Sequence, residues 1–333
     1  MPTSLLDLPN ELLDLIVQLA WVSDNSLGCP PPPHEDHVSG PRKAPCRSWS
    51  YGPSHVKYWK NQDLYSSRLA LRLVNRRIAH ITKSRLGQLV TSPTSLKLDV
   101  ILANETDLVP TWRFLSGISR RVDDLTATFE VAGTSPTLEG RRHRFRPGAG
   151  VPPPILWSFY YLLERFLEVG PLAEHKLPTA RPRGKRMPFT INRLNLDFVS
   201  SKEGTVAPPG LGVWNWMHGG NKEDDMVSSA WPSSDVASFL MRPEWLADFI
   251  SRYIRYLLRM DDSMGLHGAM MYEYVGSIRI YVDGNLLEEY RLDQRLKDLD
   301  PSGHIFVTRS DSFARWVDKA SRVRLAAGLP AIV

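Results

Sequence analysis

The sequence predicts a mixed α/β protein of the α+β class: a small helical module at the N-terminal end, then an irregular α/β domain. Three observations carry that expectation. An amphipathic segment led by Pro9 runs from Leu8 to Ala20, and strand-like and helix-like runs alternate from residue 96 onward. The strand starts, at residues 96, 125, 191 and 277, are too unequally spaced for a repeat of constant length. The division falls at residue 90, giving a module over 1–90 and a domain over 91–333.

Pro9 suits the first position of a helix, where a missing N–H is no loss, and Glu11 puts a negative charge in the first turn, where the helix dipole favours it. Leu12, Leu13, Ile16, Val17, Leu19 and Ala20 then make an apolar stripe wider than one packing contact requires. One side of it fits a second helix, in which Ala70, Leu73, Val74, Ile78 and Ile81 recur at three- and four-residue spacing. The other side reads as a partner surface, although periodicity alone fits an ordinary amphipathic helix equally well.

Residues 22 to 66 interrupt the two helices. Pro30 to Pro33, Gly40, Pro41, Pro45, Gly52 and Pro53 mark residues 25 to 56 as a loop expected to lie outside the core. Trp49, Tyr51, Tyr58 and Trp59 predict that its distal half packs back on the body of the protein. Cys29, His34, His37 and Cys46 are zinc-competent types, but their spacing matches no common zinc pattern, and no metal is expected.

Beyond the second helix, Leu96 to Ile101 reads as a strand, Trp112 to Ile118 as a short helix, and Leu125 to Val131 as a second strand. Ile155 to Val169 is a strongly apolar helix and Ile191 to Val199 a third strand. Pro243 to Met260 is the clearest helix of the chain, with Trp245, Leu246, Phe249, Ile250, Tyr253, Ile254, Leu257 and Leu258 on one side. Ser277 to Val282 is a fourth strand, and Asp283-Gly284 turns it into a hairpin with Leu287 to Leu292. His304 to Thr308 is a further strand candidate, and Ser312 to Ala327 a closing amphipathic helix. Such alternation predicts parallel neighbours joined by crossovers. The repeated Leu-x-Leu-Asp at 96–99 and 194–197 looks like a degraded leucine-rich-repeat strand.

Leu8, Pro9, Glu11, Leu12 and Ile16, followed after the interruption by Val74, Asn75, Arg76 and Arg77, resemble an F-box of the kind found in filamentous fungi. The departure from that pattern is the insertion. The resemblance implies a chain that docks on a Skp-type adaptor through Leu8, Pro9, Glu11, Leu12, Ile16, Val74, Asn75 and Arg76. It implies a substrate-recruiting subunit of a Skp-cullin-F-box ubiquitin ligase that does not itself transfer ubiquitin. An interaction module binding some other partner, and a hydrolase without a recognisable motif, are the alternatives.

Composition bounds the function further. With 333 residues, 42% hydrophobic and mean hydropathy −0.26, the chain can bury a sizeable core. The charge of +5 falls largely in two runs, Arg141 to Arg146 and Arg181 to Arg186, so general nucleic-acid binding is not expected. Two cysteines, no secretory leader pattern and no membrane-length apolar run predict a cytoplasmic or nuclear protein. Hydrolase, P-loop and zinc-protease motifs are absent, so no catalytic residue and no cofactor is expected. For an unknown protein substrate, the long segments after the second and third strands are the expected contact loops, with Arg142 and Arg144 meeting acidic groups and Trp214 and Trp216 giving apolar anchors.

Overall fold

The computed structural model describes residues 7–23, 37–39, 54–59, 75–91, 94–115, 119–146, 152–171, 188–219, 232–260, 265–299 and 310–330. Helix α1 (Asn10–Ser23) lies against α2 (Arg76–Thr91). Their contact is a small cluster of its own, Val17 and Ile78 with Ile81 beside them, separate from the main core. The second helix starts at Asn75, whose side-chain oxygen accepts the Arg77 N–H at 2.7 Å and so satisfies one of the orphan donors of the first turn. Arg77 then reaches across to α1, donating to Asn10 Oδ1 and to the Leu8 carbonyl, each at 2.9 Å.

Between these helices, β1 (His37–Ser39) and β2 (Lys57–Trp59) pair antiparallel. The insertion is therefore not wholly outside the core. Val56 and Tyr58 are buried in the main core, as the aromatic content of the distal half predicted for Tyr58. Val56, placed in the excluded loop by its Pro-rich neighbourhood, is fully buried instead. Cys29, His34, Cys46, Trp49 and Tyr51 lie outside the described residues.

The rest of the chain builds a six-stranded sheet from β3 (Ser95–Ala103), β4 (Asp107–Leu115), β5 (Arg121–Ala132), β6 (Thr190–Val199), β7 (Val275–Val282) and β8 (Asn285–Arg291). Its order is β4-β3-β5-β6-β7-β8. The four central strands are parallel and neighbour one another in chain order, while β4 and β8 close the two sides antiparallel.

One expectation is corrected here: Trp112 to Leu115 is strand, not helix. Asn104 and Glu105 both adopt positive φ, 49° and 53°, and the Thr106 N–H donates to the Ala103 carbonyl at 3.0 Å. That is a tight hairpin turn, and it returns the chain beside β3 with Trp112 in the core. The other hairpin is the Asp283-Gly284 turn expected from the sequence, with φ of 47° and 78°. The strand expected at 304–308 lies outside the described residues.

Burial along the strands alternates, as a sheet with one wet face requires. Leu98, Val100, Phe129, Leu196, Phe198 and Ile280 point to the core side. They are covered by α4 (Pro154–Val169) and α7 (Pro243–Leu258), two of the helices that follow α3 (Leu138–Phe145) in the chain. Phe129 is the pivot of this layer, with its ring 5.1 Å from Phe198 and 6.1 Å from Phe159 of α4. The short α5 (Val213–His218) and α6 (Ser233–Ser238) precede α7, and α8 (Gly265–Tyr274) follows it. After β8 come α9 (Leu292–Lys297) and the closing amphipathic α10 (Ser310–Ala326).

Candidate interaction surfaces

Three places bear on function: the outer face of the sheet, the outer face of α1, and the crevice beyond the C-terminal ends of the parallel strands.

Parallel strands are usually buried on both sides, and so are rich in continuous apolar runs. Here the second side carries Lys97, Asp99, Thr126, Thr128, Asn195, Asp197 and Arg279, none of them buried. Neighbouring strands neutralise one another's charges across this face. Arg113 donates to Asp99 at 2.6 Å, Arg193 to Asp124 at 2.6 Å, and Arg279 to Glu289 at 2.8 Å. The last two pairs stand directly opposite in register, the arrangement in which unlike charges stabilise a sheet most. The hydrogen bond and charge of Asp124 hold the Arg193 guanidinium above its usual range. Asn195 donates to Thr126 at 3.4 Å in the middle of the face. This arrangement keeps the face wet and ordered, and offers a partner a broad, flat set of fixed polar groups.

On α1 two stripes separate cleanly. Leu13 and Val17 are 1% and 2% exposed, while Leu12, Leu15 and Ile16 are 46%, 49% and 38% exposed. Of the other expected docking residues, Leu8 is half-buried, Pro9, Glu11 and Arg76 are exposed, and Asn75 is half-buried as the cap of α2. Val74 lies outside the described residues.

The crevice at the strand ends, the expected substrate-loop region, is filled by the chain itself. Arg141 of α3 donates from Nε to Glu105 at 2.7 Å, from Nη1 to the carbonyls of Trp216 and Val236, and from Nη2 to those of Ala237 and Phe239. Its guanidinium stands 4.3 Å from the Trp216 ring, a cation–π contact. The Trp216 indole N–H donates to the Phe239 carbonyl at 2.9 Å. Burial pushes the Glu105 carboxyl up, the attraction of Arg141 pulls it down, and burial wins.

The structure places the four expected contact residues of these loops unlike one another, two buried, one half-buried and one exposed. Residues 138–145 form a helix whose N-cap, Thr137, accepts the Gly140 N–H, and two of its arginines point inward. Arg144, expected at the surface, is 2% exposed and donates to Ser158 at 3.2 Å. Burial lowers its pKa to about 10, with the charge of Asp107 opposing the fall. Trp216, expected as an anchor, is fully buried against Phe145 and Trp245. Arg142 is half-buried and donates to the His218 carbonyl at 2.9 Å. Trp214 does stand at the surface, 47% exposed, with its ring 3.9 Å from that of His218. The run Arg181 to Arg186 lies outside the described residues. Sequence reasoning missed Glu105 and Arg141 as a pair, because their meeting depends on the unforeseen β3–β4 turn.

A cavity of about 30 Å³ lies between α4 and the sheet, lined mainly by Trp112, Phe129, Phe159 and Phe166. It holds one or two waters at most and belongs to the core. Among the described residues no group of three or more His, Cys, Asp or Glu could hold a metal, and no helix is long and apolar enough to cross a membrane. No protein-family model matches the chain, and neither a curated protein nor a solved structure matches it.

Proposed function

We propose that the chain is a substrate-recruiting subunit of a Skp-cullin-F-box ubiquitin ligase, docking on the Skp-type adaptor through α1 and presenting the α/β domain to a protein substrate. The observation that carries this reading is the division of α1 into two apolar stripes. Leu13 and Val17 face inward, whereas Leu12, Leu15 and Ile16 lie exposed on the same helix that bears Pro9 and Glu11. A helix that served only to close its own core would not keep three large aliphatic side chains in water, since exposed apolar clusters on soluble chains commonly mark partner surfaces.

The residues of the motif have distinct parts in it. Pro9 and Glu11 start the helix, Leu12 and Ile16 supply the contact, and Asn75 with Arg76 begins the second helix beside it. Arg77 ties Leu8 and Asn10 to that second helix, holding the docking face as one unit. On the substrate side, neighbouring parallel strands in chain order with helices packed on one side resemble a degraded leucine-rich repeat, whose open face would meet the substrate. The role is binding alone, without a catalytic residue or cofactor, in the cytoplasm or nucleus. Co-expression with a Skp-type adaptor tests it: a stable complex on size exclusion is expected, and two separate peaks would overturn the proposal.

A further inference from the structure

In α7 and α10 an exposed arginine is paired with an acid one turn earlier, Arg252 with Asp248 at 2.6 Å and Arg322 with Asp318 at 2.7 Å. Unlike charges at this spacing stabilise a helix, and like charges destabilise it. The second helix departs from that pattern. Its residues from Arg76 to Thr91 include no aspartate and no glutamate, yet they hold Arg76, Arg77, His80, Lys83 and Arg85. Two of these arginines stand in the first turn, where the helix dipole disfavours a cation.

Arg77 turns back to α1, where it bonds Asn10 and the Leu8 carbonyl. Arg76, His80 and Lys83 do not. At four- and three-residue spacing they fall on one line along the helix, about 10 Å long at the usual rise per residue. That line is on the far side from Ile78 and Thr82, which are 4% and 0% exposed. All three residues are exposed, and among the described residues none of the three has a hydrogen-bond or ion-pair partner for its side chain. Their charges oppose one another and the dipole, and nothing within α2 offsets them.

We infer that the line of Arg76, His80 and Lys83 on α2 is a docking site for an acidic polypeptide segment of a partner protein, with carboxylates spread over about 10 Å. Charge complementarity names the occupant, since carboxylates set against this line would offset both the mutual repulsion and the opposition to the dipole. Two permanent charges and one histidine are fewer than the roughly six to ten phosphates that a nucleic-acid-binding protein neutralises. They are also fewer than the about four to eight lysines and arginines that hold a segment on an anionic lipid surface. A second copy of this chain fits less well, because each copy carries a net charge of +5. His80 and Lys83 lie outside the adaptor-docking residues expected from the sequence, and the inference stands whether or not α1 docks on an adaptor.

The test is fluorescence anisotropy of the full chain with a labelled ten-residue peptide of alternating Glu and Ser at low salt, where exposed charges are least screened. The control peptide carries Gln in place of each Glu. Saturable binding of the Glu peptide is expected, weakened at least fivefold by His80→Glu with Lys83→Glu. Lys202→Glu with Lys297→Glu should leave it within twofold, although this pair changes the net charge by at least as much at exposed positions elsewhere. The first double variant should melt no lower than the unmodified chain, because it puts acids where the helix holds like charges. A melting transition lowered by more than a few degrees would mean that these side chains serve the fold, and would overturn the inference. So would no binding of the Glu peptide, equal binding of the Gln peptide, equal weakening by the two double variants, or tighter binding of a single-stranded oligonucleotide of the same charge or of phosphatidylserine vesicles.

Discussion

Arg141 and Glu105 are joined at 2.7 Å in the interior, with side chains 1% and 0% exposed, and through them four separate segments meet at the C-terminal end of the sheet. Burying an ion pair costs desolvation of both charges, and what offsets it here is that every Arg141 nitrogen has an acceptor. Removing Glu105 leaves the buried Arg141 charge without its counter-ion. Glu105→Ala is therefore expected to destabilise the fold by about 3–5 kcal/mol in urea unfolding. A loss below about 1 kcal/mol would mean the pair does not organise this end of the molecule.

The two tryptophans of α5 should part company. Trp216→Ala empties a buried site and is expected to cost about 3–5 kcal/mol. Trp214→Ala, at the surface, should change stability by no more than about 0.5 kcal/mol. Equal losses in chemical denaturation would contradict their different placement.

Much of this architecture was legible in the sequence, because it rests on local periodicity. The four-residue recurrence from Trp245 to Leu258, the alternation in β6 and the Asp-Gly of the last hairpin each express a rule that needs only neighbours. What was not legible depends on distant partners. Arg141 reads as part of a basic surface run until the carbonyls of Val236 and Phe239, 95 and 98 residues away, turn it inward. The β3–β4 turn lacks the glycine that usually announces a hairpin, since Asn104 and Glu105 take the left-handed conformation themselves. Trp112 to Ile118 therefore looked helical. Val56 looked like loop because its neighbours are prolines and glycines, and only the bridge to Leu108 places it inside.

The contact between insertion and sheet should weaken in acid. Burial alone would raise the Asp107 carboxyl, but the hydrogen bond from His55 and the charges of Lys57, His55 and Arg144 outweigh it and hold it below the usual 3.8. A carboxyl lowered in the folded state contributes stability above its unfolded value and loses it as the pH falls through the folded one. This contribution should fade below about pH 4. Asp107→Asn should show lower thermal stability at pH 7 and a smaller further loss between pH 4 and pH 2 than the unmodified chain. Parallel pH profiles would sink the assignment.

Charge reversal on the open face separates recognition from folding. Arg193→Glu breaks the partly exposed pair with Asp124 and sets two carboxylates opposite each other in register, so a cost of about 1–2 kcal/mol is expected. If the open face meets the substrate, partners co-purifying with the chain should be lost while adaptor binding persists. An unchanged set of partners would move recognition to another surface, with Trp214 the next to test.

The docking claim is tested most directly by titrating a purified Skp-type adaptor into the full chain by calorimetry, with and without Leu12→Glu and Ile16→Glu together. Both side chains are exposed, so the double variant should keep the melting transition of the unmodified chain. Central apolar contacts in an interface are worth about 2 kcal/mol or more each, so affinity should fall by a factor on the order of a thousand. Tight binding by the unmodified chain and none by the folded double variant is the predicted result. Equal affinities for the two, or no heat of binding with either, would contradict it.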